Sequence, residues 1–178
     1  MYDYFLGGAH NFAVDRQAAE KVVAIHPDFP LMMRANRAFL RRAVTYLAGQ
    51  GVTQYLDIGS GIPTVGNVHQ IVQRVQPDAR VVYVDIDPIA VAHSEAMLAN
   101  NPNATIVQAD ARDMPSLLGH PTIRQFLDWD KPLAILLVAV LHFIRDDVEA
   151  GRIVATARQA LPTGGYLVLS HGTSDTVT

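Results

Sequence analysis

The sequence predicts a doubly wound α/β fold: a mostly parallel sheet with helices on both faces. Three observations carry that expectation. Short apolar runs alternate with helical patterns from residue 53 onward, which means parallel pairing through right-handed crossovers. The runs are apolar at consecutive positions, as strands buried on both faces require. Asp57, Asp85 and Asp110 stand in or just after three successive runs, the first beside a Gly-Ser-Gly turn. In such sheets ligands bind beyond the carboxyl ends of the strands, where the strand order reverses.

Each element follows in order. Residues 1–14 are aromatic and Gly-rich without a clear period, and read as an arm or lid with Gly7-Gly8 as its hinge. A helix is expected from Asp15, with Ala18, Val22 and Ile25 on one face, until Pro27 and Pro30 interrupt it. A second runs from about Leu31 to Gln50 on a stripe of Ala35, Phe39, Ala43, Tyr46 and Leu47, ending at Gly51. Strands are then expected at Gln54–Ile58, Arg80–Val84, Ala104–Ala109, Leu133–Leu141 and Gly165–Ser170. Helices fall at Thr64–Val75, Pro88–Asn100 and Asp146–Leu161, and a mixed helical stretch reaches Trp129. The division is an N-terminal arm with two helices over 1–52 and a Rossmann-like core over 53–178. The tail SHGTSDTVT has no closing helix pattern. Strand five is therefore a candidate open edge, and a fragment truncated at its C-terminal side, or a sheet completed elsewhere, is favoured over a short variant.

Composition narrows the function classes. The 178 residues are 49% hydrophobic and 17% charged, enough apolar content for a real core. Fourteen Lys+Arg against 17 Asp+Glu give a net charge of -3, which offers nucleic acid no general attraction. No cysteine is present, so thiolate metal sites and cysteine nucleophiles are excluded. The start has no secretory pattern, and Leu133–Phe143 is about half of the roughly 20 apolar residues that a membrane span needs. A soluble, cytoplasmic protein with no membrane partner is the expectation.

The glycine turn Gly59-Ser60-Gly61 follows strand one directly, so backbone can approach a ligand closely. The third glycine of a dinucleotide fingerprint is absent, and Asp57 would repel a pyrophosphate lying on the loop. It suits a ligand carrying an amine or positive charge. Asp85 stands where a carboxylate accepts from ribose hydroxyls, and Asp87 fits better as the cap of the helix at Pro88. Asp110 can accept from an exocyclic amine, and Ala111 can offer its N–H to a ring nitrogen. Together the three acids describe a pocket for an adenosine without phosphate.

Asp57-Ile-Gly-Ser-Gly, Val84-Asp85 and Gln108-Ala-Asp110 resemble the class I S-adenosylmethionine-dependent methyltransferases. The segments YDYFLGGAHNFAVDR, RANRAFLRRAV, YLDIGSGIPTVGNVH, VVYVDIDP, LLVAVLHF and GYLVLSHGT resemble more closely a bacterial family called S-adenosyl methyltransferases. The resemblance implies S-adenosylmethionine as cofactor. It places the methionine part on Asp57, Gly59, Ser60 and Gly61, the ribose on Asp85 with Ile86 beside it, and adenine on Asp110 and Ala111. Pro63 stands where the superfamily often has a third glycine, a departure that bears on loop shape. Seven strands are usual in the superfamily, against the five read here.

His142 follows strand four on the lip where a methyl acceptor would sit, and is the candidate general base for a hydroxyl acceptor. A packed strand-end histidine is the competing reading. His171 is a weaker candidate of the same kind. His69, His93 and His120 read as surface. His142 with Asp146 and Asp147 is the nearest approach to a metal cluster, but the spacing suits a helix cap as well, and no metal is expected. The arm residues Tyr2, Tyr4, His10, Asn11, Asp15 and Arg16 could close over the pocket. Arg34 and Arg37 could reach the cofactor carboxylate as fork-shaped donors; Arg34 is the candidate carried forward, and a solvated face is the favoured reading for Arg37, Arg41 and Arg42. Met32, Met33 and Met97 read as gap-filling core or edge residues.

After strand four the chain lacks the Asn/Asp-Pro-Pro-aromatic run of many amino-group methylases, so a small-molecule oxygen or nitrogen acceptor is expected. The alternative is a non-catalytic domain that binds the same cofactor. A nicotinamide oxidoreductase is disfavoured by Asp57 and by the lack of a Tyr-x-x-x-Lys pair. A serine hydrolase is disfavoured because Ser60 lies in Gly-Ser-Gly rather than Gly-x-Ser-x-Gly.

Overall fold

The computed structural model describes residues 2–6, 13–62 and 66–172, without the side chains of Tyr2, Asp3 and Asp15. Gly7, Gly8, His10, Asn11, Pro63 and Thr64 therefore lie outside the described residues.

Three helices lead the chain: α1 Tyr2–Phe5, α2 Ala13–Ile25 and α3 Phe29–Gly49. The core follows as β1 Gln54–Ile58, α4 Val68–Val72, β2 Arg80–Asp85, α5 Pro88–Leu98, β3 Ala104–Gln108, α6 Met114–Leu118, α7 Pro121–Phe126, β4 Ala134–Val138, α8 Asp147–Ala160 and β5 Tyr166–Ser170. A 3-10 turn, Leu141–Phe143, follows β4. The strands form one parallel sheet in the order β3-β2-β1-β4-β5, with Asp57 opposite Tyr83 on one side and Leu136 on the other. The order reverses between β1 and β4, and that is where a ligand cleft is expected.

Side-chain alternation along the strands divides the core in two. On one face Tyr55 and Tyr83 pack with Val81, Leu136, Leu40 and Val44 of α3, and Val68 and Val72 of α4. On the other, Leu56, Val82 and Ile135 pack with Leu117, Ile123, Ile153 and Ala157. Leu56, Val82, Ile135, Ile123 and Ala157 are completely buried, each worth roughly 1.5–3 kcal/mol for the larger side chains. Asp57 and Asp85 share the parity of Tyr55 and Tyr83. They therefore face α3 and α4, and this decides which side chains reach them.

Several expectations are corrected at the elements. α2 begins at Ala13, before Asp15. α2 ends at Ile25, before Pro27, as expected, but α3 starts at Phe29 rather than about Leu31, with Pro30 in its first turn, where a missing N–H costs nothing. The buried stripe of α3 is Leu40, Val44, Leu47 and Ala48; of the predicted stripe Leu47 is buried and Phe39 and Ala43 are half-buried, but Tyr46 is 61% exposed and Ala35 is also exposed, so the buried face is rotated from the predicted one. α4 is only five residues long and starts at Val68, because Gln70 Oε1 accepts the N–H groups of Gly66 and Asn67, each at 3.0 Å, and closes the helix start there. β4 ends at Val138, before Leu141. Met32 is 54% exposed and not core. Gly51 ends α3 with φ +83, as the sequence predicts.

Candidate cofactor site

The turn after β1 is shaped by two glycines in the left-handed region, Gly59 at φ +74 and Gly61 at φ +68. At Gly59 a Cβ would also collide with the Val140 side chain. The turn is tied to β2: Gly59 and Ser60 donate their N–H groups to the Val84 carbonyl at 2.8 and 3.1 Å. Gly61 donates to Asp85 Oδ2 at 2.6 Å, while Asp87 donates to Asp85 Oδ1 at 2.9 Å. Asp85 thus holds both the glycine turn and the start of the next loop. Asp87 caps α5 by accepting from the Ile89 N–H at 2.8 Å, the role the sequence assigns it.

Asp57 is buried at the floor of this turn. Burial pushes its carboxyl from 3.8 to about 7; Arg37 opposes that rise and Asp85 adds to it. The Tyr83 hydroxyl, raised well above its ordinary value by burial, faces the same place. It accepts the His69 N–H at 2.9 Å and lies 2.7 Å from His69 Nδ1. His69 is therefore buried and not a surface residue, and burial lowers its pKa.

Arg37 corrects another expectation. Instead of lying on a solvated face, it lines a small cavity with Asp57, Ser60, Asn67 and Tyr83, and donates to Asn67 Oδ1 at 3.2 Å. Arg34 is exposed and does not line it. Met97 also lines the cavity, and its sulfur accepts from Asn67 Nδ2 at 3.5 Å. The sequence offered Arg37 beside Arg34 as a possible carboxylate partner but favoured a solvated face for it, and nothing marked Asn67. Tyr83 was readable as sharing the strand face of Asp85.

The remaining predicted residues lie along the carboxyl edge. Ile86 is 52% exposed just past β2. Asp110 follows β3, and its pKa is lowered from the ordinary carboxylate value, first by the hydrogen bond from the Arg112 side chain. Ala111 is half-buried next to it. His142 stands in the 3-10 turn after β4, with its ring 4.4 Å from that of Phe143 and 6.5 Å from that of His171. His142 is exposed, but partial desolvation of its ring first, then His171, lowers its pKa, which favours the neutral imidazole at pH 7. Asp146 accepts from Val148 and Glu149 N–H groups and so caps α8. Among the described residues no group of three metal-capable side chains occurs.

The lining has the chemistry that the aminoacyl part of S-adenosylmethionine would need. The buried Asp57 carboxyl and the Arg37 guanidinium line one small cavity, complements of an ammonium and a carboxylate. The Ser60 hydroxyl is buried there without a hydrogen-bond partner. A buried polar atom left so is costly, and a ligand would satisfy it. Asp85 and Asp110 extend the row of acceptors outward.

Strand order, glycine turn and acids together define a Rossmann-like methyltransferase fold. The whole chain, residues 1–178, matches the family described as S-adenosyl methyltransferase, and the protein belongs to that family. A candidate methyltransferase from Thermobifida fusca YX is 46% identical, with a TM-score of 0.90 over 94% of this chain and 63% of that one. A DUF574 family protein from Streptomyces avermitilis MA-4680 is 43% identical, with a TM-score of 0.91 over 97% of this chain and 67% of that one. The chain thus spans about two thirds of the length of these relatives. The N-methyltransferase NodS from Bradyrhizobium japonicum WM9 has a TM-score of 0.51 over 78% of this chain and 69% of that one at 16% identity, a likeness of fold alone. No curated protein matches the chain. No described helix is long and apolar enough to cross a membrane.

Proposed function

We propose that the protein transfers the methyl group of S-adenosylmethionine to a small-molecule oxygen or nitrogen acceptor. The observation that carries this reading is the row of Asp57, Asp85 and Asp110 at the ends of three adjacent parallel strands, with the glycine turn between the first two. Asp57 binds the α-ammonium and Arg37 the α-carboxylate, as a fork-shaped donor does. Of the two arginines the sequence offered for the carboxylate, Arg37 lines the cavity and Arg34 does not. Gly59, Ser60 and Gly61 bring backbone and one hydroxyl against the methionine part. Asp85 accepts from the ribose, Ile86 covers the adenine face, and Asp110 and Ala111 read the adenine edge.

When bound, the cofactor supplies a sulfonium methyl. That methyl would pass to the acceptor's lone pair, with the carbon–sulfur bonding pair returning to sulfur. Where the acceptor is a hydroxyl, His142 takes its proton. The neutral ring favoured at pH 7 leaves it able to do so. The chain's other contribution is alignment at close range.

A thermal melt with S-adenosylmethionine, S-adenosylhomocysteine, NAD and no ligand tests the cofactor. At a hundredfold excess over the dissociation constant, binding adds about 2.7 kcal/mol. For a chain of this size that is roughly 5–10 °C. A shift with the two sulfur ligands and none with NAD is expected; a cooperative melt that neither sulfur ligand moves rejects the pocket.

A further inference from the structure

Ala139 is the one non-glycine residue among those described with a positive φ, at +56. A residue with a Cβ is strained there and stays only if its surroundings hold it. The strain lies one residue beyond β4, between the cofactor turn and His142. Two bonds from one partner hold it: the Ala139 N–H donates to Ser170 Oγ at 2.9 Å and, more weakly, to the Ser170 carbonyl at 3.3 Å. Ser170 Oγ donates its own proton to Asn36 Oδ1 at 2.6 Å. That commits the hydroxyl proton to α3 and leaves an oxygen lone pair for Ala139.

The turn so held meets both halves of the site. Val140, the next residue, fills the space where a Gly59 Cβ would be. Three residues past Ala139 is His142. Asn36 is also the neighbour of Arg37, which lines the cofactor cavity.

We infer that Ser170 and Asn36 are positioning residues, whose relay holds Ala139 in its strained turn and thereby seats Val140 against Gly59 and His142 on the acceptor side. The inference rests on the reading of residues 57–61 as the cofactor turn. Without the relay Ala139 relaxes to an ordinary φ, Val140 withdraws, and the glycine turn loses its support.

The test measures S-adenosylhomocysteine affinity by calorimetry and the His142 titration midpoint by NMR, on proteins shown by melting to be folded. Ser170→Ala is expected to weaken binding about five- to tenfold, the worth of one hydrogen bond, and to move the His142 midpoint. Asn36→Ala, which leaves β5 untouched, gives the same direction. Ser170→Thr keeps the hydroxyl and stays near wild type. The deciding protein is Ser170→Ala with Ala139→Gly. Glycine pays nothing at this φ, so the second substitution restores most of the affinity and the midpoint, which a mere packing defect at Ser170 would not permit. Wild-type affinity and an unmoved midpoint in Ser170→Ala, or a loss that Ala139→Gly does not repair, overturns the inference. Should the wild type itself not bind S-adenosylhomocysteine, the cofactor reading fails instead, and the His142 midpoint alone still decides whether the relay sets the turn.

Discussion

Replacing Asp57 with Asn should make the empty protein more stable and the cofactor weaker. The carboxyl is buried and raised from 3.8 to about 7, so the folded state holds a proton that the unfolded state has released. Where the unfolded state binds fewer protons, stability falls as pH rises. The loss begins above the unfolded value, grows through the folded one and is complete by about pH 8. It amounts to about 4 kcal/mol at full extent. The charged and titratable groups that act on Asp57 are kept in the variant: Arg37 from α3, and Tyr83 and Asp85 from β2. Asn is a neutral isostere of the protonated acid, so the two proteins should match near pH 4. They should diverge steadily above it, reaching a gap of roughly ten degrees in Tm at pH 8. Urea unfolding at several pH values measures this directly as a difference curve. S-Adenosylhomocysteine should bind the variant at least tenfold more weakly at pH 8, since a charge-assisted contact is worth about 1.5–3 kcal/mol. In the wild type, affinity should rise with pH up to about 7 and then level. A difference curve that is flat with pH, or one in which Asn is the less stable protein at pH 8, would refute the reasoning.

Other substitutions divide the site. Arg37→Ala should weaken S-adenosylhomocysteine about tenfold and leave 5′-methylthioadenosine unaffected, because only the former carries a carboxylate; equal losses for both would place Arg37 elsewhere. Asp85→Ala removes acceptors from the Gly61 and Asp87 N–H groups and should cost about 1–3 kcal/mol of binding, read by calorimetry. Gly59→Ala combines an unfavourable φ with a collision at Val140 and should destabilise the chain by about 2–4 kcal/mol in urea. Tyr83→Phe leaves His69 Nδ1 and the His69 N–H without their partner and should cost about 1–3 kcal/mol, an effect that a melt resolves.

The sheet was legible because parallel strands announce themselves. β1 has the bounds expected from its apolar run, and β2 only adds Asp85, since Thr53, Gly59 and Asp87 bracket the runs with residues that do not continue a buried strand. Helix starts were less legible where a capping side chain outweighed the periodicity. The pattern from Thr64 onward looked helical, yet the Gln70 side chain closes the helix start at Asn67, a signal the sequence did contain. α3 misled in another way. Its apolar residues are spread widely enough that two stripes fit, and only packing on the sheet selects Leu40, Val44 and Leu47 over Ala35 and Tyr46.

The same choice of stripe explains which parts of the site stayed hidden. Asp57, Asp85 and Asp110 are fixed by the strand they end, so the order of residues alone places them together. Arg37 and Asn36 belong to a helix whose rotation about its own axis is set by distant contacts. Once Leu40 and Val44 turn inward on the face carrying Tyr55 and Tyr83, residues three and four positions before Leu40 come round toward the carboxyl edge. Arg37 then meets the cavity beneath the glycine turn, and Asn36 meets Ser170 at the end of β5. A stripe centred on Ala35, Phe39, Ala43 and Tyr46 would have turned Arg37 away, which is why Arg37 reads from sequence as solvated. The packing of α3 is therefore part of the site: a core substitution that rotates it, such as Val44→Ala, acts on Arg37 and Asn36 without touching either.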